Sequence, residues 1–403
     1  MKALRFERSL PRYAAARVTT PWSAATGAKV SPLRLTDVDP PDLPAEGWRR
    51  VNPILSGICG SDLSTISGHS TRYFEPIVSF PFVPGHEVVG ELADGPDDGA
   101  RVVIEPVLGC AARGVHPPCP ACAEGHTGAC QRLAFGHLKP GLQTGFCEDT
   151  GGGWSQQLVA HPSQIHRVPD GLSDEAAVMV EPTACGVHAA LSAGPLEGAT
   201  VAVLGAGTLG LTVVAALARW QRPGRLMVAA RYPHQRTIAA SLGADEVVEP
   251  SGLAAAVRLR TRSHRYGAVL TGGADAVFDC VGSAESIQAC LAVVRPGGTV
   301  VLVGMPGQTS LDLTGLWHRE IRLVGAYAYG TETLPGGGAP VRTFDLAFEL
   351  VRDADLGRLV SARYPLDRFP EAVAHASGAG RRGAVKVVFD LRHSYRRPTW
   401  RTT

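Results

Sequence analysis

The run "ATVAVLGAGTLGLTVVAALARW", Ala199 to Trp220, decides the fold class of this chain. A β-branched stretch leads into Gly205, Gly207 and Gly210, spaced G-x-G-x-x-G with Thr208 and Leu209 between them, and an apolar helical pattern follows. Strand, tight turn and helix in that order let bare backbone approach a pyrophosphate at a helix N-terminus. Ala199 to Ala218 carries no charge over about the length of a membrane span, but its three glycines divide it into a buried strand, a turn and a buried helix. Further strand-like runs, "RLMVAA", "DAVFDCVG" and "GGTVVLVGM", succeed at the intervals of alternating strands and helices. These runs predict a dinucleotide-binding domain around a parallel sheet.

The end of the second strand selects the dinucleotide. An acidic side chain there accepts from the adenine ribose hydroxyls and favours NAD. Twenty residues beyond Gly210, in "VAARYPHQR", stands Ala230, followed by Arg231, Tyr232, His234 and Arg236. Arginine suits a 2′-phosphate through charge-assisted hydrogen bonds. The pattern favours NADP, with NAD as the alternative and a solvated arginine as the bland reading of Arg231.

Outward from that core, 403 residues exceed what one core usually holds, so two domains are expected. Apolar residues at 45% and charged residues at 19% fit a packed enzyme. A formal charge of +2 supplies no general field for nucleic acid or acidic lipid, so no nucleic-acid or membrane partner is expected. "MKALRFERSL" has no hydrophobic signal core, which points to the cytoplasm. Nine cysteines, an odd number, then favour reduced thiols or metal ligands over disulfides.

Four cysteines cluster in "CAARGVHPPCPACAEGHTGAC": Cys110, Cys119, Cys122 and Cys130. Four thiolates suit a closed tetrahedral zinc site, which stabilises a lobe and does no chemistry. Free loop thiols and a redox C-x2-C pair are the bland readings, and no strand-to-helix pattern supports the latter. Cys59 lies in "GICGSD", Gly57 to Asp62; His86 and Glu87 lie in "PGHEVVG"; Glu181 opens the helical pattern of "VEPTACGVH". A thiolate, an imidazole and a carboxylate can hold a catalytic zinc with one position open. Taken singly, His86 reads as a turn histidine and Glu181 as a helix N-terminal charge.

Together, "GICGSD", "PGHEVVG", the four-cysteine loop, "EPTACGVH" and the glycine turn resemble the zinc-dependent medium-chain dehydrogenases/reductases, the alcohol and polyol dehydrogenase family, in that family's order. The resemblance implies a GroES-like β-rich catalytic domain interrupted by a Rossmann domain, an α/β fold with substrate in the cleft. It implies Cys59 and His86 as ligands and Glu181 in the third place. Glu87 either ligates or stands behind, Asp62 orients His86, and Ser61 relays the proton. It further implies about two zinc ions per chain, one structural and one catalytic, and a homodimer or homotetramer.

The expected division is 1–185 catalytic, 186–330 cofactor-binding, and 331–403 a return to the catalytic domain ending in a basic tail, "RHSYRRPTWRTT", read as mobile. Residues 1–185 read as short strands and turns. Three departures from the family pattern stand out. Its C-x2-C-x2-C-x7-C spacing appears here as C-x8-C-x2-C-x7-C, leaving Cys110 or His116 as first ligand, with the cysteine favoured. Ser64 replaces the histidine that closes the family's proton relay, and a "GDRV" turn appears as "GARVV". The reading is an alcohol dehydrogenase or carbonyl reductase. A zinc-free enoyl or quinone reductase and a non-catalytic zinc- or cofactor-binding protein are the alternatives.

Overall fold

The computed structural model describes residues 1–70 and 72–392. The basic tail beyond Arg392 therefore lies outside the described residues. Two sheets organise the chain. The first has six parallel strands in the spatial order Glu246–Val248, Arg225–Ala229, Thr200–Leu204, Ala274–Asp279, Val294–Leu302, Arg322–Gly325. The chain begins at the centre, adds two strands to one side and then crosses to the other. A crevice consequently opens at the strand ends between Leu204 and Asp279, the topological switch point of a Rossmann sheet. Val201, Ala202 and Val203 are fully buried, as strands sandwiched between helix layers must be.

The second sheet has seven strands. Six follow the order Val360–Tyr364, Lys386–Asp390, Arg49–Gly57, Val88–Leu92, Arg101–Ile104, Ile165–Arg167, and Leu158–Ala160 pairs with the start of Arg49–Gly57. Its pairs are antiparallel except Val360–Tyr364 with Lys386–Asp390. The chain leaves this sheet after Arg167 and returns near its end, so distant segments share one ladder. Helix Val180–Ser192 lies between the sheets, packed against helices Thr208–Ala216 and Thr343–Asp353. Its core is continuous with Leu55 and Val89 of one sheet and Val201 and Val203 of the other.

The N-terminal region differs from the strands and turns expected of residues 1–185. Helices Leu10–Thr19 and Ala24–Val30 stand between strands Lys2–Phe6 and Leu33–Asp37. The local reasons are a proline in the first helical turn, three consecutive alanines, and a cap in which Ser23 Oγ accepts the Thr26 amide at 3.2 Å. A Cβ on Gly27 would overlap Thr20, so glycine lets the two helices meet closely. Among the described residues no helix is long and apolar enough to cross a membrane.

Candidate functional site

Strand pairing builds the first cluster. Strand Arg49–Gly57 ends two residues before Cys59, and strand Val88–Leu92 begins just after His86 and Glu87. Their register sets Ser56 opposite Val88, while Val388 lies opposite Gly57 on the other side. The Gly57 amide donates to the Glu87 carbonyl at 2.8 Å, and the Ile58 amide to Val387 at 3.0 Å. Ligand atoms of Cys59, His86 and Glu87 thereby come within 4.8 Å of one another. Lys386, entering from the returning strand, pairs with Glu87, and both side chains are only 2% exposed. Its Nζ also donates to the Ile58 carbonyl at 3.3 Å. A Cβ on Gly57 would overlap the Glu87 carboxylate, so glycine makes the room this pair occupies.

Helix Gly60–Ile66 positions the rest. Cys59 is its N-cap residue, and Asp62 Oδ2 accepts the Cys59 amide at 2.9 Å. The other oxygen, Oδ1, faces His86 Nδ1 at 3.6 Å, which leaves the second ring nitrogen for the Cys59 side. Ser61 is half-buried on the same helix, and its carbonyl accepts from Thr65 Oγ1 at 2.9 Å. Ser64 uses its carbonyl to accept the His69 and Ser70 amides, folding the following loop back onto the helix. Glu181 lies in the first turn of helix Val180–Ser192, nearly buried, and outside the 4.8 Å set. Its Oε1 accepts from the Tyr329 hydroxyl at 3.2 Å and the Cys185 thiol at 3.7 Å.

The donor chemistry fits a zinc ion: a soft thiolate, an imidazole and a carboxylate, with the imidazole backed by an acid. The electrostatics agree. Burial pushes Asp62 up and lifts Glu181 from 4.5 to about 7. Burial works against charge on His86, yet Asp62, Cys59 and Glu181 outweigh it and raise the imidazole well above its ordinary range. A pit that draws protons onto its own carboxyls favours a cation.

The second cluster is a lobe with the sulfurs of Cys110, Cys119, Cys122 and Cys130 within 4.8 Å of one another. Cys110 and Cys130 sulfurs are 3.8 Å apart, whereas His116 is exposed. Backbone amides of Cys119, Gln131 and Arg132 donate to the sulfurs of Cys110, Cys119 and Cys130 at 3.3, 3.5 and 3.4 Å, the support that thiolate ligands require. The six extra residues of the first spacing bring in Arg113, fully buried. Its guanidinium donates to the carbonyls of Leu108, Phe135, Leu138, Lys139 and Gly141, so a cation with no ion pair among the described residues pins the lobe.

The glycine turn occupies the crevice of the parallel sheet. Gly205 has φ +99°, a conformation L side chains rarely adopt, and a Cβ on Gly210 would run into the Gly205 carbonyl. Gly207 caps helix Thr208–Ala216 and faces open space where a pyrophosphate would lie. Thr208 Oγ1 donates to the Val385 carbonyl at 3.3 Å, and Leu209 is half-buried. At the second strand's end Ala230 is buried and Arg231 exposed, with no carboxylate in ion-pair range of Arg231 among the described residues. Arg236 is spent differently, donating to the Ala230 and Arg231 carbonyls at 3.3 and 3.0 Å and pairing with Glu249 at 3.3 Å. Tyr232 stacks on His234 with centroids 6.1 Å apart.

Two residues of the site went unread in the sequence. Lys386 left a trace, a charge set within the apolar run "AVKVVF", which usually implies a buried partner. Tyr329 left none beyond its place in "GAYAYG".

Residues 45–170 match the family model described as an alcohol dehydrogenase GroES-like domain, and residues 208–339 the one described as a zinc-binding dehydrogenase. A sorbitol dehydrogenase of Bacillus subtilis is 29% identical over 328 residues, 79% of this chain and 84% of that one. An L-galactonate-5-dehydrogenase of Escherichia coli is 31% identical over 277 residues, 67% of this chain and 73% of that one. Among solved structures, a protein of Sinorhizobium meliloti 1021 described as a zinc-binding dehydrogenase and solved with NADP bound has a TM-score of 0.70 at 25% identity, over 96% of this chain and 98% of that one.

Two expected outcomes follow from this geometry. Gly57→Ala should drive Glu87 off Lys386 and lower zinc content at the Cys59 cluster, leaving the lobe's metal in place; elemental analysis checks this. In metal-free protein, burial raises Glu181 above its unfolded value, so its folded form prefers the proton. Stability from that group is present below pH 4.5 and is lost as pH rises to about 7. Melting temperatures of metal-free wild type and Glu181→Gln should therefore diverge across that window, with the variant the more stable at pH 7.

Proposed function

The chain belongs to the zinc-dependent medium-chain dehydrogenase/reductase family, as an oxidoreductase acting on CH–OH groups, and on that footing we propose that it interconverts a secondary alcohol of a polyol or sugar acid with its ketone, using NADP(H) by preference. The observation that carries this reading is the meeting of Cys59, His86 and Glu87 within 4.8 Å. Those three would hold the catalytic zinc, with Glu181 beside the open position; the lobe cysteines would hold a second ion. When bound, the ion polarises the substrate's alcohol or carbonyl oxygen and the nicotinamide carries the hydride.

The chain's own residues do the rest. Ser61, two residues past Cys59 on a helix whose first turn Asp62 braces by accepting the Cys59 amide, holds a proton at Oγ for exchange with the substrate oxygen. Asp62 fixes the imidazole orientation of His86. The turn Gly205–Gly210 takes the pyrophosphate, and Arg231, exposed and without an ion pair among the described residues, takes the 2′-phosphate. The complete ligand set argues against zinc-free enoyl or quinone reduction.

We take residues 1–185 with 331–403 as the catalytic unit and 186–330 as the cofactor unit, a division supported by the return of strands Val360–Tyr364 and Lys386–Asp390 to the N-terminal sheet. A homodimer is supported by the edge strand Arg322–Gly325, where Leu323 is exposed, and by Trp317 in the helix that precedes it, 78% exposed.

Cys59→Ala should lose one of about two zinc ions per chain and abolish turnover while the fold survives; retention of full metal content and turnover would overturn the ligand assignment. Charge-assisted contacts are worth on the order of 1.5–3 kcal/mol each, a ten-fold or larger preference. Arg231→Ala should therefore weaken NADP(H) far more than NAD(H), and Ala230→Asp should move preference toward NAD(H), read as kcat/KM for both cofactors. A wild-type preference for NAD(H) that Arg231→Ala leaves untouched would sink the cofactor assignment.

A further inference from the structure

The turn that carries Tyr329 is held in a strained conformation by the four-cysteine lobe. Ala328 has φ +54°, a left-handed backbone that costs a non-glycine residue free energy and persists only when its surroundings enforce it. The enforcing contacts come from residues 124–128, between Cys122 and Cys130. The Tyr329 carbonyl accepts the Gly128 amide at 3.2 Å and Thr127 Oγ1 at 3.4 Å. A Cβ on Gly128 would stand 3.1 Å from the Tyr327 and Tyr329 carbonyls and 3.2 Å from the Ala328 methyl, so bare backbone of the lobe lies directly on the turn. Thr331 Oγ1 donates to the Glu124 carbonyl at 3.3 Å, and a Cβ on Gly330 would run into the Gly125 carbonyl.

The other side of the same turn reaches the active site. The Tyr329 hydroxyl donates to Glu181 Oε1 at 3.2 Å, and its buried ring packs edge-on against Phe344, centroids 4.9 Å apart. Glu332 then pairs with His188 Nδ1 at 2.7 Å and accepts from Thr343 Oγ1 at 2.9 Å, which ties the turn to the helix of Glu181 at a second point. One short segment thus joins the lobe to a carboxylate beside the Cys59 cluster.

We propose that the four-cysteine lobe is a positioning element for catalysis: it clamps the 327–331 turn, and Tyr329, a positioning residue, thereby fixes the Glu181 carboxylate. This rests on the reading of the Cys59 cluster as the catalytic centre. A neutral tyrosine hydroxyl satisfies one lone pair of Glu181 and holds that oxygen away from the cluster, so its loss lets a buried carboxylate swing in. The lobe, remote from the chemistry, then sets how the open position is shaped.

The test compares Tyr329→Phe, Gly128→Ala and the double variant in the metal-loaded protein. Tyr329→Phe should lower kcat by roughly ten-fold, the worth of one hydrogen bond to a charged group, with the cofactor KM within about two-fold and zinc content unchanged. The visible absorption of cobalt substituted at the Cys59 cluster should shift. Gly128→Ala, which crowds the turn with all four cysteines intact, should move kcat and the cobalt spectrum in the same direction and speed hydrogen exchange in 326–332. In the Tyr329→Phe background it should add nothing further. Unchanged kcat and cobalt spectrum in Tyr329→Phe, or fully additive effects in the double variant, would overturn the proposal. Should wild type turn over and Cys59→Ala abolish turnover while Tyr329→Phe is silent, this inference alone fails. Wild-type turnover surviving Cys59→Ala would instead remove the catalytic reading beneath it.

Discussion

Three strands meet at Gly57, and the Cys59 cluster exists because of how they pair there. Gly57 lies opposite Val388 on one side, and its amide reaches the Glu87 carbonyl on the other. Cys59, the adjacent pair His86 and Glu87, and Lys386 come from three separate stretches of the chain and become neighbours only through this register. A slip of one residue would turn each strand's side chains to the opposite face and scatter the set. The absent side chain at Gly57 matters as much as the pairing, since any Cβ would occupy the space of the Glu87–Lys386 pair. That pair is a buried one, so its attraction must offset heavy desolvation. Glu87 and Cys59 outweigh burial and keep Lys386 charged.

The same logic of buried charge recurs in the lobe. Arg113 enters through the lengthened spacing between Cys110 and Cys119 and finds carbonyls in place of carboxylates. A guanidinium offers five donors in a fixed fork, which matches a ring of chain-turn carbonyls that four sulfurs could not satisfy. Arg319 does likewise beneath the parallel sheet, donating to Leu291, Leu270 and Gly272. In both places a cation gathers backbone carbonyls from turns and element ends.

Helix Val180–Ser192 gives the cleft its continuity. It is buried along nearly its whole length and contributes to the core of both sheets. Glu181 at its first turn lies near the Cys59 cluster, while Gly186 packs so closely on Thr212 that a Cβ would overlap the threonine hydroxyl. The glycine turn that opens the neighbouring helix is thereby tied to the helix that carries Glu181.

Local chemistry was legible wherever one short segment contains its own reason. The glycine turn leaves no room for a side chain at Gly205 and Gly210, four thiols share one loop, and Ala230–Arg231 shows a missing acid beside a cation; each is visible within a few residues. Strand runs such as "RLMVAA" and "GGTVVLVGM" announced the parallel sheet because strands buried on both faces must be continuously apolar. The N-terminal helices escaped because short, Ala-rich segments carry weak periodicity when only one narrow face is buried. Partnership across the chain was decided by tertiary structure alone. Whether Glu87 or Glu181 stands with Cys59 and His86 depends on Lys386 and Tyr329, which arrive from segments about 150 to 300 residues away. A sequence states which groups a chain owns; the free energy of a buried charge depends on its neighbours, and those neighbours are chosen by strand register and helix packing.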